Sequence, residues 1–524
     1  MAPNALQMTA WILLQSGFYF ASTFLKNFRL TFHAKPHDRV KPTRTRTNAA
    51  KLVVSLDFYL LHSLSRARSR MMNSMDTQPQ HTRDASDTPA PTAISKAAPE
   101  ENEKKSLLRA NPDECSPVVL VVHASVGSGH KLAAQAIAQA FEDLEGIEGA
   151  PENLQVEVVD ILDYGRIRFN GDHWAHLFTG VTRPWYDFVW RYLFTGRLLW
   201  GGGWSWARIM FPRYTEMIRE KKPLAVICTH ITAANATVGA RMATGQNFPL
   251  VCVPTDYETE GWWPHRAADL FCVGTESMAE TLRPRKVEEE RIAITGIPTR
   301  LDFSQEYDRT ETRAIHDLPQ DKTVVLALAG STMASPYVLF RGILDQILPY
   351  MHTMPNVHLL FCAGNDENYR NHLTRQIEDL RLENVSVIGF TDQMAALMSC
   401  CDAVLCKPGG LVTTEALCTK TPLILLGRAY GQEFINVRML TSRGAALHVT
   451  TGRELLEVLR LFHQQPTRAQ SLLINANTLR KPNAARDIAS RTMDLALGRV
   501  PMLRATRKHY FAHFYWGKKP AHTR

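Results

Sequence analysis

The chain has 524 residues, more than one ordinary hydrophobic core organises, so two domains plus extensions are expected. With 45% apolar and 21% charged residues its composition is globular, which excludes collagen-like, mucin-like and disulfide-scaffold classes. The net charge of +9 is concentrated at the ends: residues 1–70 hold eleven Lys/Arg against Asp38 and Asp57, and the tail from Pro501 holds six Lys/Arg and no acid. The remainder is net acidic, which argues against a nucleic-acid groove through the main body.

In chain order, residues 9–25 (TAWILLQSGFYFASTFL) carry no charge and precede Lys26, Arg29 and Lys35. Residues 1–72 therefore read as a hydrophobic and basic extension: an anchor, an interfacial helix, a targeting segment, or a stretch ahead of the true start at Met71, Met72 or Met75. Residues 73–116, rich in Pro, Ala, Ser, Thr and charge, read as a disordered linker. From Pro117 short β-branched runs alternate with helical stretches: 118–124, 156–162, 224–230, 250–256, 270–275 and 292–298, and then 323–330, 358–364, 385–390, 403–409, 423–427 and 445–449. Two such series predict an α/β protein of two Rossmann-like domains, 117–305 and 306–490, whose parallel sheets face a central cleft, followed by a basic aromatic tail, 491–524. The nine cysteines lie mostly in apolar runs and form no CxxC pair, so they read as buried free thiols of a reducing compartment rather than a zinc site.

The chemistry-bearing motifs lie where these strands end. After the first run comes Ser125-Val126-Gly127-Ser128-Gly129-His130, a turn in which glycines let the backbone approach a ligand at a helix start. An imidazole there suits a general base, and a structural histidine is the competing reading. Lys407-Pro408-Gly409-Gly410 opens another helix, where Gly409, Gly410 and the following amides can cradle a diphosphate. Thr413 and Glu415 follow within that helix, and Glu415 is placed to accept the hydroxyls of a ribose. Gly431-Gln432-Glu433-Phe434-Ile435-Asn436 follows a later strand, and Gln432 beside Glu433 suits a polyhydroxylated sugar. Capping of ordinary helices explains the acids but not both glycine placements.

Taken in order, several motifs resemble one family. They are the Gly-x-Gly-His turn, Pro254-Thr255-Asp256 with its Trp-rich loop, Thr295-Gly296-Ile297-Pro298, Gly330-Ser331, Val387-Ile388-Gly389-Phe390, the Lys407–Glu415 segment and Gly431-Gln432-Glu433. From Val118 to about Arg491 the chain resembles the monogalactosyldiacylglycerol synthases and processive diacylglycerol glucosyltransferases, relatives of the peptidoglycan N-acetylglucosaminyltransferase. The resemblance implies a GT-B fold and an inverting transfer of galactose or glucose from a UDP-sugar to diacylglycerol, with no metal and no cofactor. It places Gly330, Ser331 and Phe390 at the nucleotide, Gly409 and Gly410 at the diphosphate, Glu415 at the ribose, and Gln432 and Glu433 at the sugar, with Lys407, Pro408 and Thr413 also expected on the donor side. His130 and Asp256 face the acceptor, with His130 preferred as base and Asp256 orienting the site, acting as base, or capping the next helix. The sequence departs from the family at VGSGH, where an unbroken glycine run is usual, and at YETEGWWPH after Asp256.

Six of the ten tryptophans lie between 174 and 206. Trp185, Trp190, Trp200 and Trp204, with Trp262, Trp263 and the turn glycines Gly127 and Gly129, are the expected acceptor and membrane face, meeting an anionic surface as a peripheral protein does. The expected location is the cytosolic face of the cell membrane or a plastid-type organellar membrane. The expected partners are a UDP-sugar and diacylglycerol or a related lipid, with no nucleic acid. Competing readings are a UDP-N-acetylglucosamine transferase acting on a polyprenyl-linked acceptor, a UDP-sugar 2-epimerase, and an inactive nucleotide or lipid sensor.

Overall fold

The computed structural model describes residues 116–142, 150–151, 153–166, 205, 207–258, 263–285, 287–330, 338–429 and 432–503. The first half of this region contains β1 (Val118–His123), α1 (Ser128–Glu142), β2 (Gln155–Asp160), α2 (Pro212–Lys221), β3 (Ala225–Cys228), α3 (Ile231–Thr244), β4 (Leu250–Cys252), β5 (Leu270–Cys272), α4 (Glu276–Leu282) and β6 (Ile292–Ala293). The second half contains α5 (Arg309–Ile315), β7 (Thr323–Leu328), α6 (Val338–Ile347), β8 (Val357–Cys362), α7 (Glu367–Asp379), β9 (Val385–Ile388), α8 (Met394–Cys400), β10 (Ala403–Cys406), α9 (Gly410–Cys418), β11 (Leu423–Leu426), α10 (Gln432–Ser442), β12 (Ala446–Val449), α11 (Gly452–Gln464), α12 (Pro466–Asn477) and α13 (Ala484–Ala496). A strand lies within or against each of the twelve apolar runs. Central strands such as β1, β3, β8 and β10 are buried at every position, as parallel strands covered on both faces must be.

The strands form two six-stranded sheets, in the orders β2-β1-β3-β4-β5-β6 and β12-β11-β10-β7-β8-β9. All pairings are parallel. In each sheet the chain leaves one strand, builds outward on one side, then returns to build on the other. These topological switch points lie between β1 and β3 in the first sheet and between β7 and β10 in the second. Loops on the two sides diverge there, opening a crevice at the strands' carboxyl ends. The α1 turn and the end of β3 occupy the first crevice, and Gly330 after β7 and the loop after β10 lie at the second.

Local chemistry sets the direction of β4, which carries the chain to Thr255 and Asp256. Arg241 of α3 donates to Asp269 Oδ2 at 2.8 Å and to the Phe248 carbonyl at 3.1 Å, while the same Asp269 oxygen accepts from Leu250 N at 2.8 Å. This buried, fully hydrogen-bonded ion pair ties α3, the start of β4 and the approach to β5 together. Helix α1 buries Ala133, Ala134, Ala136, Ile137, Ala140 and Phe141 and leaves Lys131, Gln135 and Gln139 on its outer side, as a 3.6-residue period requires.

Helix α13 does not pack on the second sheet, although it follows it in sequence. Its Ala485, Ile488, Ala489 and Met493 share a core with Val119 and Val121 of β1, Ile137 and Ala140 of α1, and Ile227 of β3. A domain boundary at residue 490 falls inside this helix, and the crossing back to the first half occurs earlier, between Asn477 and Ala484. There Arg480 Nε donates to the Cys418 carbonyl, at 2.9 Å. All eight described cysteines are buried and free.

Candidate active site

The turn after β1 holds Gly127 at φ +108°, a conformation that disfavours any residue with a Cβ, although open space surrounds the position. This geometry starts α1 so that His130 reaches the end of β3. His130 Nδ1 lies 3.1 Å from the Thr229 carbonyl and 2.7 Å from Thr255 Oγ1. A carbonyl oxygen only accepts, so Nδ1 carries the proton, shares it with both oxygens, and leaves the Nε2 lone pair free to take a proton. Thr229 Oγ1 in turn donates to the His130 carbonyl at 2.9 Å. Burial pushes the His130 pKa below its ordinary value, while Asp256 opposes that shift. The ring is therefore neutral near pH 7, the form a general base needs.

A second histidine stands beside it. His230 caps α3, its Nδ1 accepting from Thr232 N at 3.1 Å, and its ring meets His130 edge-on with centroids 4.7 Å apart. Burial, reinforced by His130 and His123, holds His230 well below the ordinary histidine range. Thr229 and His230 carried no signal in the sequence beyond lying at a predicted strand end, whereas Thr255 stood within the Pro254-Thr255-Asp256 motif.

Among the described residues, no bond from Asp256 caps a helix. Its Oδ1 accepts from Asn436 Nδ2 of α10 at 2.9 Å. The loop bearing it is pressed against the second half at three points. Asn436 Oδ1 accepts from Tyr257 N at 3.0 Å, the Tyr257 and Thr414 hydroxyls are 3.0 Å apart, and Gly410 lies so close that an added Cβ would strike the Thr255 carbonyl. A Cβ at Gly129 would lie 3.7 Å from Leu411 Cβ, so the starts of α1 and α9 also meet.

On the second side, Gly330 follows β7 and passes so near the backbone at Ala363 that a Cβ would collide with its carbonyl. Phe390, at the end of β9, is 71% exposed, leaving its ring open to a planar partner. Gly409 caps α9 without a side chain, keeping the amides of the first turn clear. Lys407 Nζ pairs with Glu433 Oε1 at 2.8 Å, which joins the Lys407–Gly410 loop to the start of α10, where Gln432 also sits. The Pro408 carbonyl accepts from Asn436 Nδ2 at 2.9 Å. Burial raises the Glu415 carboxyl to about 7, with Arg300 lowering it and Asp302 raising it. Arg300, a residue no sequence motif singles out, donates to Asp302 Oδ2 at 2.7 Å and to the Asp392 carbonyl at 2.9 Å.

Two expected site residues are placed elsewhere. Thr413 is wholly buried, and its hydroxyl donates to the Gly409 and Gly410 carbonyls, so it shapes the helix start instead of lining the crevice. Trp263 is buried in the first core, edge-on to Phe271 at 6.4 Å, and is not a surface aromatic. Ser331, Trp185, Trp190, Trp200, Trp204 and Trp262 lie outside the described residues.

Two helix starts thus meet at the switch points of two sheets, one bearing a neutral histidine and the other bare amides. Residues 130–299 match the family model of monogalactosyldiacylglycerol (MGDG) synthase. The matched segment contains His130, Thr229, His230, Thr255 and Asp256, and it ends before the second sheet begins. Among curated relatives, the processive diacylglycerol beta-glucosyltransferase of Staphylococcus saprophyticus is 24% identical, over 51% of this chain and 66% of that protein. The Bacillus cytotoxicus protein of the same description is also 24% identical, over 65% of this chain and 84% of its own. The chain thus spans about two thirds of the first relative's length. Of solved structures, Acinetobacter baumannii MurG shares 14% identity at a TM-score of 0.47, with 72% of this chain and all of that one covered.

Proposed function

We propose that the protein is an inverting glycosyltransferase that moves a hexose from a UDP-sugar to diacylglycerol or a closely related lipid. The observation that carries this reading is the meeting of the segment that matches the MGDG synthase model, where the Thr229 carbonyl and Thr255 Oγ1 hold His130 Nδ1, with the start of α9, which no side chain caps. Such a transfer needs a base at the acceptor hydroxyl and a stabiliser for the departing UDP, and these two features are suited to those roles. His130 Nε2 takes the proton of the lipid's hydroxyl as its oxygen attacks the anomeric carbon. The bond from that carbon to the UDP oxygen breaks on the opposite face. The amides and dipole of α9 receive the charge that develops on the diphosphate.

In this reading Glu415 holds the ribose, Gln432 and Glu433 hold the sugar, and Gly330 and Phe390 border the uracil. Lys407, paired with Glu433, links sugar and diphosphate recognition, and no metal takes part. The lipid is met at an anionic membrane surface. Among the described residues no helix is long and apolar enough to cross a bilayer.

The test is a transfer assay with mixed micelles of diacylglycerol and radiolabelled UDP-glucose, UDP-galactose and UDP-N-acetylglucosamine, each offered separately. Label extracted with the lipid from a hexose donor is the expected result and names the sugar. Label found only as free sugar or as an epimer overturns the reading.

A further inference from the structure

Asn436 is fully buried, and each of its polar groups is engaged across the crevice. The two N–H bonds of Nδ2 reach Asp256 Oδ1 and the Pro408 carbonyl, both at 2.9 Å, and Oδ1 accepts from Tyr257 N at 3.0 Å. The flipped amide is excluded, because it would set an acceptor against the Asp256 carboxylate and the Pro408 carbonyl, and a donor against the Tyr257 N–H. One side chain therefore bonds an acceptor-side carboxylate, the acceptor-side backbone beside it, and the loop that opens the diphosphate-type helix. It also stands one turn beyond Gln432 and Glu433 on α10, so it moves with the proposed sugar-binding residues.

We infer that Asn436 is a positioning residue that aims the Asp256 carboxylate from the opposite half of the protein. This rests on the proposed glycosyl transfer. Asp256 is then held in its working orientation only while α10 and the Pro408 loop are seated against the Thr255–Tyr257 loop. Assembly of the donor side and alignment of the acceptor side become one event. A lipid hydroxyl near His130 thus meets an aligned site only when the half that carries the UDP-sugar is in place, which disfavours loss of the sugar to water.

The experiment uses the full chain in diacylglycerol micelles with the donor that the wild type transfers. Asn436→Ala and Asn436→Asp are compared, the latter keeping size and the acceptor for Tyr257 N while removing both donors. Both variants are expected to lose at least about tenfold in kcat while the donor KM and UDP binding stay within about threefold. In the Asp256→Ala background, Asn436→Ala is expected to cost no further turnover, because its effect passes through the missing carboxylate. A donor KM that rises with kcat unchanged, full turnover in Asn436→Asp, or losses that multiply in the double variant would overturn the inference. Where Asn436→Ala fails to bind UDP, the near-isosteric Asn436→Asp carries the test. A wild type that binds UDP but labels no lipid overturns the proposed function itself, whereas normal transfer by the Asn436 variants overturns only the positioning role.

Discussion

At His130 a backbone carbonyl decides the chemistry. The Thr229 oxygen fixes the proton on Nδ1, and the Thr255 hydroxyl shares it, so the ring presents Nε2 without needing a carboxylate partner. His130→Ala should abolish lipid labelling while UDP binding, read by calorimetry, is retained. Thr255→Val, which keeps the shape and removes one of two acceptors, should lower kcat about three- to tenfold, the order of one neutral hydrogen bond. Glu415 yields a pH prediction of the opposite kind from the usual salt-bridged acid. Its folded pKa of about 7 lies above the ordinary value of 4.5, so the fold holds its proton more tightly than the unfolded chain does. Stability is whole below about pH 4 and declines as pH rises to about 7, by about 3 kcal/mol at most. Glu415→Gln, which cannot ionise, should therefore melt above the wild type at pH 8 and level with it near pH 4. The same variant should bind UDP-sugar more weakly if the carboxyl holds the ribose.

At the scale of elements, α9 is the tightest piece of the site. Its first residue has to be glycine not for its own backbone angles but because the Thr255 carbonyl occupies the place of a side chain. Gly410→Ala should separate the Thr255–Tyr257 loop from α9, lowering the melting temperature and kcat together, whereas Gly127→Ala should act through backbone strain alone. The two glycines also mark what was legible in the sequence. Lys407-Pro408-Gly409-Gly410 stood out because paired glycines between a strand and a helix weaken both elements unless something must approach the backbone closely. Asn436 stood only four residues past Gln432, yet its role depends on a partner 180 positions away, and no local pattern carries such information. Thr413 and Trp263 were misplaced for a related reason: residue type names the chemistry a side chain is capable of, while packing decides which way it turns.

For the whole molecule, the twelve strands were readable because parallel strands buried on both faces leave nearly continuous apolar runs. Their two orders then place both crevices without reference to any side chain. The partner of α13 was not readable. An amphipathic helix declares that it has a buried face, not which sheet it covers. Ile488 is fully buried in the core that joins α13 to β1 and β3. Ile488→Ala should cost about 2–5 kcal/mol. Amide exchange should show the loss in β1 and β3, not in β8 and β9.

The return of α13 also bears on synthesis. A ribosome releases β1, α1 and β3 long before residues 484–496 leave the exit tunnel, so the first half remains without one wall of its core until the whole second sheet has been made. The second half has all its strands by Val449 and is free to close ahead of it. Order of emergence and order of completion are thus reversed, and a nascent chain stalled before Ala484 should expose the apolar surface of β1 and α1 to chaperones and proteases, while its later half is already protected.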